Sequence, residues 1–269
     1  MRAAFFQLAT LLRWFLWAIR TGKRRIGTKN IDLIHSGSVA SDQLADGDIV
    51  LTFDDGPLRG RTDKISMILS TYDVRATFFV VGAKADASPD LVRRLLDQGH
   101  SLGAHCQNHV HLAELSFSDA KREIENGIQS LRRALRPWSF ADPFFRPPYL
   151  EDTPEIAEYL NEIRMVNWNS GWLFDDWTNI SVSELVRSVI ARAERERKGI
   201  IILHDIWRVT SKALPLILEE LDRRGFRFVQ FRSGAQIEPT ELVEQASRPH
   251  DVFAQAMAPA SCRNVPSPL

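Results

Sequence analysis

From residue 49 onward, short β-branched or aromatic runs alternate with longer stretches of helical periodicity, and this alternation constrains the fold more than any other feature of the chain. Strands are expected at 49–53, 77–81, 101–104, 144–146, 165–168, 200–203 and 226–231, with helices at 64–72, 89–98, 118–135, 154–160, 183–197 and 211–224 between them. Ser118 and Ser183 stand where helix N-caps belong, and Gly99 and Gly225 follow helices as C-terminal glycines do. About seven such repeats predict an α/β fold: a distorted, closed or nearly closed (β/α) barrel of parallel strands. In barrels of this kind chemistry gathers at the C-terminal ends of the strands, where loops vary without disturbing the core.

The chain has 269 residues, 34 basic and 34 acidic, so its formal charge is zero and no field draws it to a polyanion; nucleic acid is not an expected partner. A hydrophobic content of 44% fits a globular protein with one large core, assigned here to a catalytic domain at 45–235. Residues 236–269 decay into Pro, Ser, Ala and mixed polar types and read as a flexible tail. Of the two cysteines, Cys262 falls in that tail and Cys106 reads as a buried packing residue, so no structural disulfide is expected.

Residues 1–30 form a separate segment. Steps of about 100° per residue place Arg2, Arg13, Arg20 and Arg24 on one narrow face, with Phe5, Leu8, Leu12, Phe15, Leu16 and Ile19 over the rest. Such a cationic amphipathic helix suits a membrane interface, and it equally suits packing over one end of the barrel. Lys23, Arg24, Arg25 and Lys29 follow the apolar stretch, so insertion would leave the downstream domain in the cytoplasm or on the cytoplasmic membrane face.

Five polar clusters fall at the expected strand ends. Thr52-Phe53-Asp54-Asp55-Gly56-Pro57 brings two adjacent carboxylates to a turn; the bend lets both serve one site, one holding a cation and the other taking a proton from water. His105 and His109 lie four residues apart, which in a helical turn stacks two imidazoles on one side as ligands for a single metal. Two histidines and a carboxylate leave a coordination position open, as hydrolytic zinc sites require, and His111 points outward or supports that set. In Phe145-Arg146-Pro147-Pro148-Tyr149 the prolines stiffen the loop; Arg146 is a partner for a nearby carboxylate and the Tyr149 amide an oxyanion donor. The segment from Trp168 to Trp177 carries Trp168, Trp172, Trp177, Asp175 and Asp176, with aromatic faces for stacking on sugar rings or for packing a loop on the barrel rim. Finally, the apolar run Ile200 to Leu203 delivers His204 and Asp205; His204 reads as a general acid because the other clusters converge there.

With these five motifs in this order, the region from Asp48 to Arg232 resembles the polysaccharide deacetylases of carbohydrate esterase family 4, the NodB-homology domain found in chitin, chitooligosaccharide and peptidoglycan deacetylases. The resemblance implies a metal-dependent hydrolase that removes an N-acetyl or similar N-acyl group from an N-acetylated glycan. It makes Asp54 the base, Asp55, His105 and His109 the metal ligands, and Arg146 the group that orients Asp54. The Tyr149 amide then helps stabilise the oxyanion, His204 protonates the departing amine, and Asp176 holds and tunes His204 with Trp177 beside it; from the aromatic segment itself, Trp177 and Trp172 are the candidate substrate-binding residues. Zn²⁺ is the expected metal for two histidines and an aspartate, while Co²⁺ or Ni²⁺ suits the same ligands. This chain departs from the family pattern at Cys106, where Ser or Thr is usual, at Leu150 in place of Gly, and at Ile202 in place of Leu. A barrel amidohydrolase using His109 and His111 would need that pair on the first strand. A catalytically inactive member of the same fold would lack a catalytic group, and none is missing.

Overall fold

The computed structural model describes residues 25–33, 43–136 and 142–233. All belong to the first of two units, Met1–Gln236; the second unit, Ile237–Leu269, lies outside the described residues, as do residues 1–24 of the expected N-terminal helix. Among the described residues no helix is long and apolar enough to cross a membrane.

In chain order the elements are β1 (Lys29–Leu33), β2 (Asp48–Asp54), α1 (Thr62–Tyr72), β3 (Thr77–Val80), α2 (Gly82–Ala87), α3 (Pro89–Asp97), β4 (Ser101–Ala104), α4 (Phe117–Leu135) and β5 (Phe144–Phe145). They continue with α5 (Pro154–Glu162), β6 (Val166–Asn167), β7 (Trp172–Leu173), α6 (Val182–Glu196), β8 (Gly199–His204), α7 (Arg208–Arg223) and β9 (Arg227–Ser233). The strands run β1-β9-β2-β3-β4-β5-β6, with β8 beside β2 and β7 beside β8, every ladder parallel, and the sheet curls into a half-barrel. All seven expected strands are present. Two more were not read from the sequence. β7 is only two residues long, and β1 begins at Lys29, inside the segment assigned to the N-terminal helix, pairing with β9 over Lys29–Leu33.

β2 and β8 are almost wholly buried, as strands covered on both faces must be, and side-chain alternation separates the two faces. Leu51, Phe53, Phe78, Ile201 and Leu203 pack with helix residues such as Ile65, Leu69 and Leu214 and form the outer layer. Val50, Phe79, Phe144, Val166, Trp168, Ile200, Val229 and Phe231 pack with one another and fill the interior. The interior parity continues along the strands through Thr52 to Asp54, through Ile202 to His204, and through Phe144 to Arg146. Three polar residues therefore emerge into the mouth of the half-barrel.

Four helices start earlier than expected: α1 at Thr62, α4 at Phe117, α6 at Val182 and α7 at Arg208. Ser116 and Ser181, not Ser118 and Ser183, cap α4 and α6, each accepting from the amide three residues on; Ser181 and Glu184 complete a reciprocal capping box. The serine three residues before the acid wins, because the acid's side chain or position favours the same first turn. Gly99 and Gly225 have φ of 82° and 81° just beyond α3 and α7, as read from the sequence.

Helix α4 meets the loop after β4 at Gly127, where an added Cβ would lie 2.5 Å from the Cys106 carbonyl carbon. Gly127→Ala should destabilise the fold by about 1–3 kcal/mol despite the better helix propensity of alanine. Urea unfolding checks this: an unchanged or raised midpoint would show that α4 can move off the loop at no cost.

Candidate active site

Interior parity delivers Asp54 to the end of β2 and His204 to the end of β8, and the two are register partners, so they sit side by side on the same face. Asp54 is buried, and its Oδ1 accepts a hydrogen bond from Arg146 Nη1 at 2.7 Å. Arg146, with no solvent exposure, also donates from Nη1 to Thr52 Oγ1 at 2.7 Å and from Nε to the Trp168 carbonyl at 3.0 Å, while its guanidinium lies 4.1 Å from the Phe79 ring centre. Burial pulls the arginine pKa below its ordinary value, and the facing Asp54 carboxylate opposes that pull.

The neighbouring Asp55 reaches the same mouth because its φ is 74°, a left-handed conformation that reverses the strand alternation. His105 and His109 converge on it. Their Nε2 atoms lie 3.5 and 3.0 Å from Asp55 Oδ1. The helical turn expected between them is absent: Cys106 (φ 58°) and His109 (φ 53°) are both left-handed, and the rings meet edge-on at 65° rather than stacked. The loop is braced from behind by α2, whose Gly82 and Ala83 amides donate to the Cys106 and Gln107 carbonyls, and by α4, whose Glu123 accepts from Asn108. Cys106 is buried, and burial pushes its thiol pKa up, in keeping with a packing residue.

The donor set suits a cation. His105 Nδ1 lies 2.7 Å from the Arg146 carbonyl, which can only accept, so Nδ1 carries the proton and Nε2 presents a lone pair to Asp55. Asp55 Oδ1 is buried without a hydrogen-bond donor although two ring nitrogens face it. Burial opposes ionisation of Asp55, but in the absence of a cation the two imidazoles, when protonated, outweigh it and hold the carboxyl well below its ordinary pKa. Among the described residues Asp55, His105 and His109 form the single cluster of three such groups, with ligand atoms within 4.8 Å of one another.

Across the mouth, His204 Nδ1 lies 2.7 Å from Asp176 Oδ1, and Asp176 Oδ2 accepts from the His204 amide at 2.9 Å and the Thr210 hydroxyl at 2.5 Å. Burial alone would lower the His204 pKa; the Asp176 partnership, helped by Asp54 and Asp55, overrides it and raises the value to about 9. Trp177 is 40% exposed and sets its ring at 83° to the imidazole, 5.2 Å between centroids. On the other side the half-exposed Tyr149 ring meets His109 edge-on and stacks on His111, which also contacts Glu151 at 3.1 Å; His111 is outside the three-residue cluster. Tyr149 and Leu150 both have φ near 60°, so the position where glycine is usual does adopt a conformation that favours glycine.

The structure does not bring Trp172 to the mouth with the other candidate residues: it pairs with Ile201, which points to the outer layer, and its ring packs over Gly199 and beside Arg192. Alternation along β7 sends it under α6. Thr52, Thr210, Lys84 and Glu123 also brace the site without having stood out in the sequence. Thr52 stood inside a quoted motif, but lone polar residues in helices carry no signal of what they brace.

A family model for polysaccharide deacetylase matches residues 41–168. A peptidoglycan-N-acetylglucosamine deacetylase of Bacillus cereus is 35% identical over 192 residues, covering 67% of this chain and 84% of that protein. The structure of a Bdellovibrio bacteriovorus peptidoglycan deacetylase superposes with a TM-score of 0.72 at 28% identity, covering 79% of this chain and 60% of that one. A family 4 pseudoenzyme from Bacillus anthracis superposes with a TM-score of 0.58 at 21% identity over 70% of this chain and 68% of its own, a likeness of fold alone.

The His204–Asp176 pair generates a prediction for the metal-free protein. The imidazole should titrate near pH 9, and Asp176→Asn should bring it down toward or below the ordinary ~6.5, since burial then acts unopposed by its largest partner. Histidine NMR titration reads this directly, and an unshifted resonance in the variant would remove Asp176 as the cause.

Proposed function

Since this chain belongs to the polysaccharide deacetylase family, the carbohydrate esterase family 4 hydrolases, we propose that it hydrolyses the N-acetyl amide of an amino sugar within a glycan, with peptidoglycan the first substrate to test. The observation that carries this reading is the convergence, at one barrel mouth, of a donor set for a cation, a carboxylate held by a buried arginine and a histidine held by a buried aspartate. Together they meet the needs of amide hydrolysis: an activated water, an acceptor for its proton and a donor for the leaving nitrogen.

A divalent cation on Asp55, His105 and His109, with Zn²⁺ our choice and Co²⁺ or Ni²⁺ compatible with the same ligands, would supply Lewis acidity that eases water ionisation and polarises the acetyl carbonyl. Asp54 takes the proton of the attacking water, its acceptor oxygens oriented by Arg146 Nη1. The Tyr149 amide stabilises the negative charge that develops on the carbonyl oxygen. His204, charged at neutral pH through Asp176, donates to the nitrogen as the C–N bond breaks, because an amine anion is too poor a leaving group to depart unprotonated. Trp177 offers an exposed aromatic face beside His204 on which a sugar ring can stack.

A wall polymer lies outside the cytoplasmic membrane, whereas the basic run after the apolar N-terminal stretch favours a cytoplasmic domain. A lipid-linked amino-sugar precursor satisfies both, so it belongs in the substrate panel beside peptidoglycan and chitooligosaccharides.

Acetate release from that panel should require added divalent metal and be lost with chelator. His105→Ala and His109→Ala should each lose metal and turnover, while Asp54→Asn keeps metal and loses turnover. Full metal occupancy and normal rates in either histidine variant would overturn the ligand assignment. Turnover should fall as pH rises through the point where His204 deprotonates, which Asp176 holds above the ordinary histidine range. His204→Ala should retain metal yet lose ~10²-fold or more on the amide, and far less on a nitrophenyl acetate whose leaving group needs no proton. Equal losses on the two substrates would remove the general-acid role.

A further inference from the structure

Asp55 keeps a left-handed backbone that no glycine relieves, a strained conformation that persists only where its surroundings over-determine it. The surroundings do so from three elements. The Asp54 carbonyl accepts from the Asp205 amide at 3.3 Å, the Asp55 carbonyl from Lys84 Nζ at 2.6 Å, and the Gly56 carbonyl from the Val81 amide at 2.9 Å. Each carbonyl of the bend is thus held by the end of β8, by α2 or by the residue after β3.

One side chain in this arrangement has no part in the proposed chemistry. Asp205 is 1% exposed and outside the metal cluster, and its Oδ1 has no hydrogen-bond partner. Its Oδ2 accepts from the Thr62 hydroxyl at 2.6 Å, and that hydroxyl in turn accepts from the Leu58 amide at 2.8 Å, so the carboxylate is fixed to the first turn of α1. It is fixed directly against Gly56. A Cβ built there would lie 2.1 Å from Oδ2, 2.5 Å from Oδ1 and 2.6 Å from Cγ, a clash with the whole carboxylate rather than with the tip of a flexible chain. Gly56 does not have positive φ, so its backbone would accept alanine; what demands glycine is the space that Asp205 occupies.

We propose that Asp205 is the positioning residue for Asp55: held by Thr62, its carboxylate closes on the Cα of Gly56 and locks the bend that turns two consecutive aspartates into one site. The inference rests on Asp55, His105 and His109 being the cation ligands. Asp205 acts through packing on Gly56 and through the hydrogen bond of its amide to the Asp54 carbonyl, and it touches neither the cation nor the substrate. Groups that orient metal ligands from behind are commonly worth about 10–100-fold in metal affinity, which sets the size of the effect to expect.

The test is Zn²⁺ binding to the full chain by competition with a chromophoric chelator, backed by the visible spectrum of the Co²⁺-loaded protein, which reports ligand geometry without turnover. Gly56→Ala and Asp205→Ala should each weaken Zn²⁺ by about tenfold or more. The double variant should bind more tightly than Gly56→Ala alone, since removing the carboxylate makes room for the methyl group. Thr62→Val should weaken Zn²⁺ and alter the Co²⁺ spectrum, whereas Thr62→Ser, which keeps the hydroxyl, should restore both. The threonine pair carries the test if Asp205→Ala does not fold. A double variant as weak as the product of the two singles, or a Thr62→Val protein with wild-type affinity and spectrum, would overturn the proposal. His105→Ala is the control: equal Zn²⁺ affinity in that variant and wild type would mean that the ligand assignment, not the positioning role, had failed.

Discussion

A guanidinium with no access to water must find partners inside the protein, and the way Arg146 does so organises the rest of the site. Its side chain joins the ends of three strands through Thr52, Asp54 and the Trp168 carbonyl, and its backbone carbonyl receives the Nδ1 proton of His105. A single residue therefore orients the proposed base with one end and sets the tautomer of a proposed ligand with the other. Leaving such a charge without partners would cost several kcal/mol, so the positions of the four strand ends are tied together.

Strain concentrates where this machinery lies. Of the eight described non-glycine residues with positive φ, Asp55, Cys106, His109, Tyr149 and Leu150 all stand in its loops. Left-handed geometry at Asp55 reverses the alternation of the strand, and at Cys106 and His109 it brings two imidazoles edge to edge on one carboxylate oxygen. The stability of the surrounding half-barrel, with β2 and β8 almost wholly buried, is what holds these residues where an isolated loop would relax.

The half-barrel alone does not decide activity, since a pseudoenzyme shares it, and function must be argued from the groups at its mouth. Here those groups are mutually braced: Asp54 by Arg146, His204 by Asp176, and Asp176 by Thr210. The bracing also divides labour electrostatically. Asp176 and its neighbours favour the charged form of His204 despite burial, while the imidazoles favour the ionised form of Asp55.

Much of this protein is written locally. Apolar runs of strand length separated by helical periodicity suffice for a parallel α/β barrel-like fold, and polar residues placed just after those runs are enough to nominate Asp54, Asp55, His105, His109, Arg146 and His204, because a strand end is where a side chain leaves the core for the loops; Asp176 came only with the family resemblance. What lies beyond local pattern was decided by tertiary structure. Neighbouring tryptophans look alike in sequence, yet parity on β7 sends Trp172 under a helix, while Trp177, in the turn that follows, lies at the mouth beside His204. The histidine spacing suggests a helical turn, but anchoring by α2 and α4 imposes a left-handed loop instead. Short pairings such as β7, and the contact of Asp205 with Gly56 across some 150 residues, have no local signature at all, since they exist only once distant segments are packed together and steric exclusion acts between them.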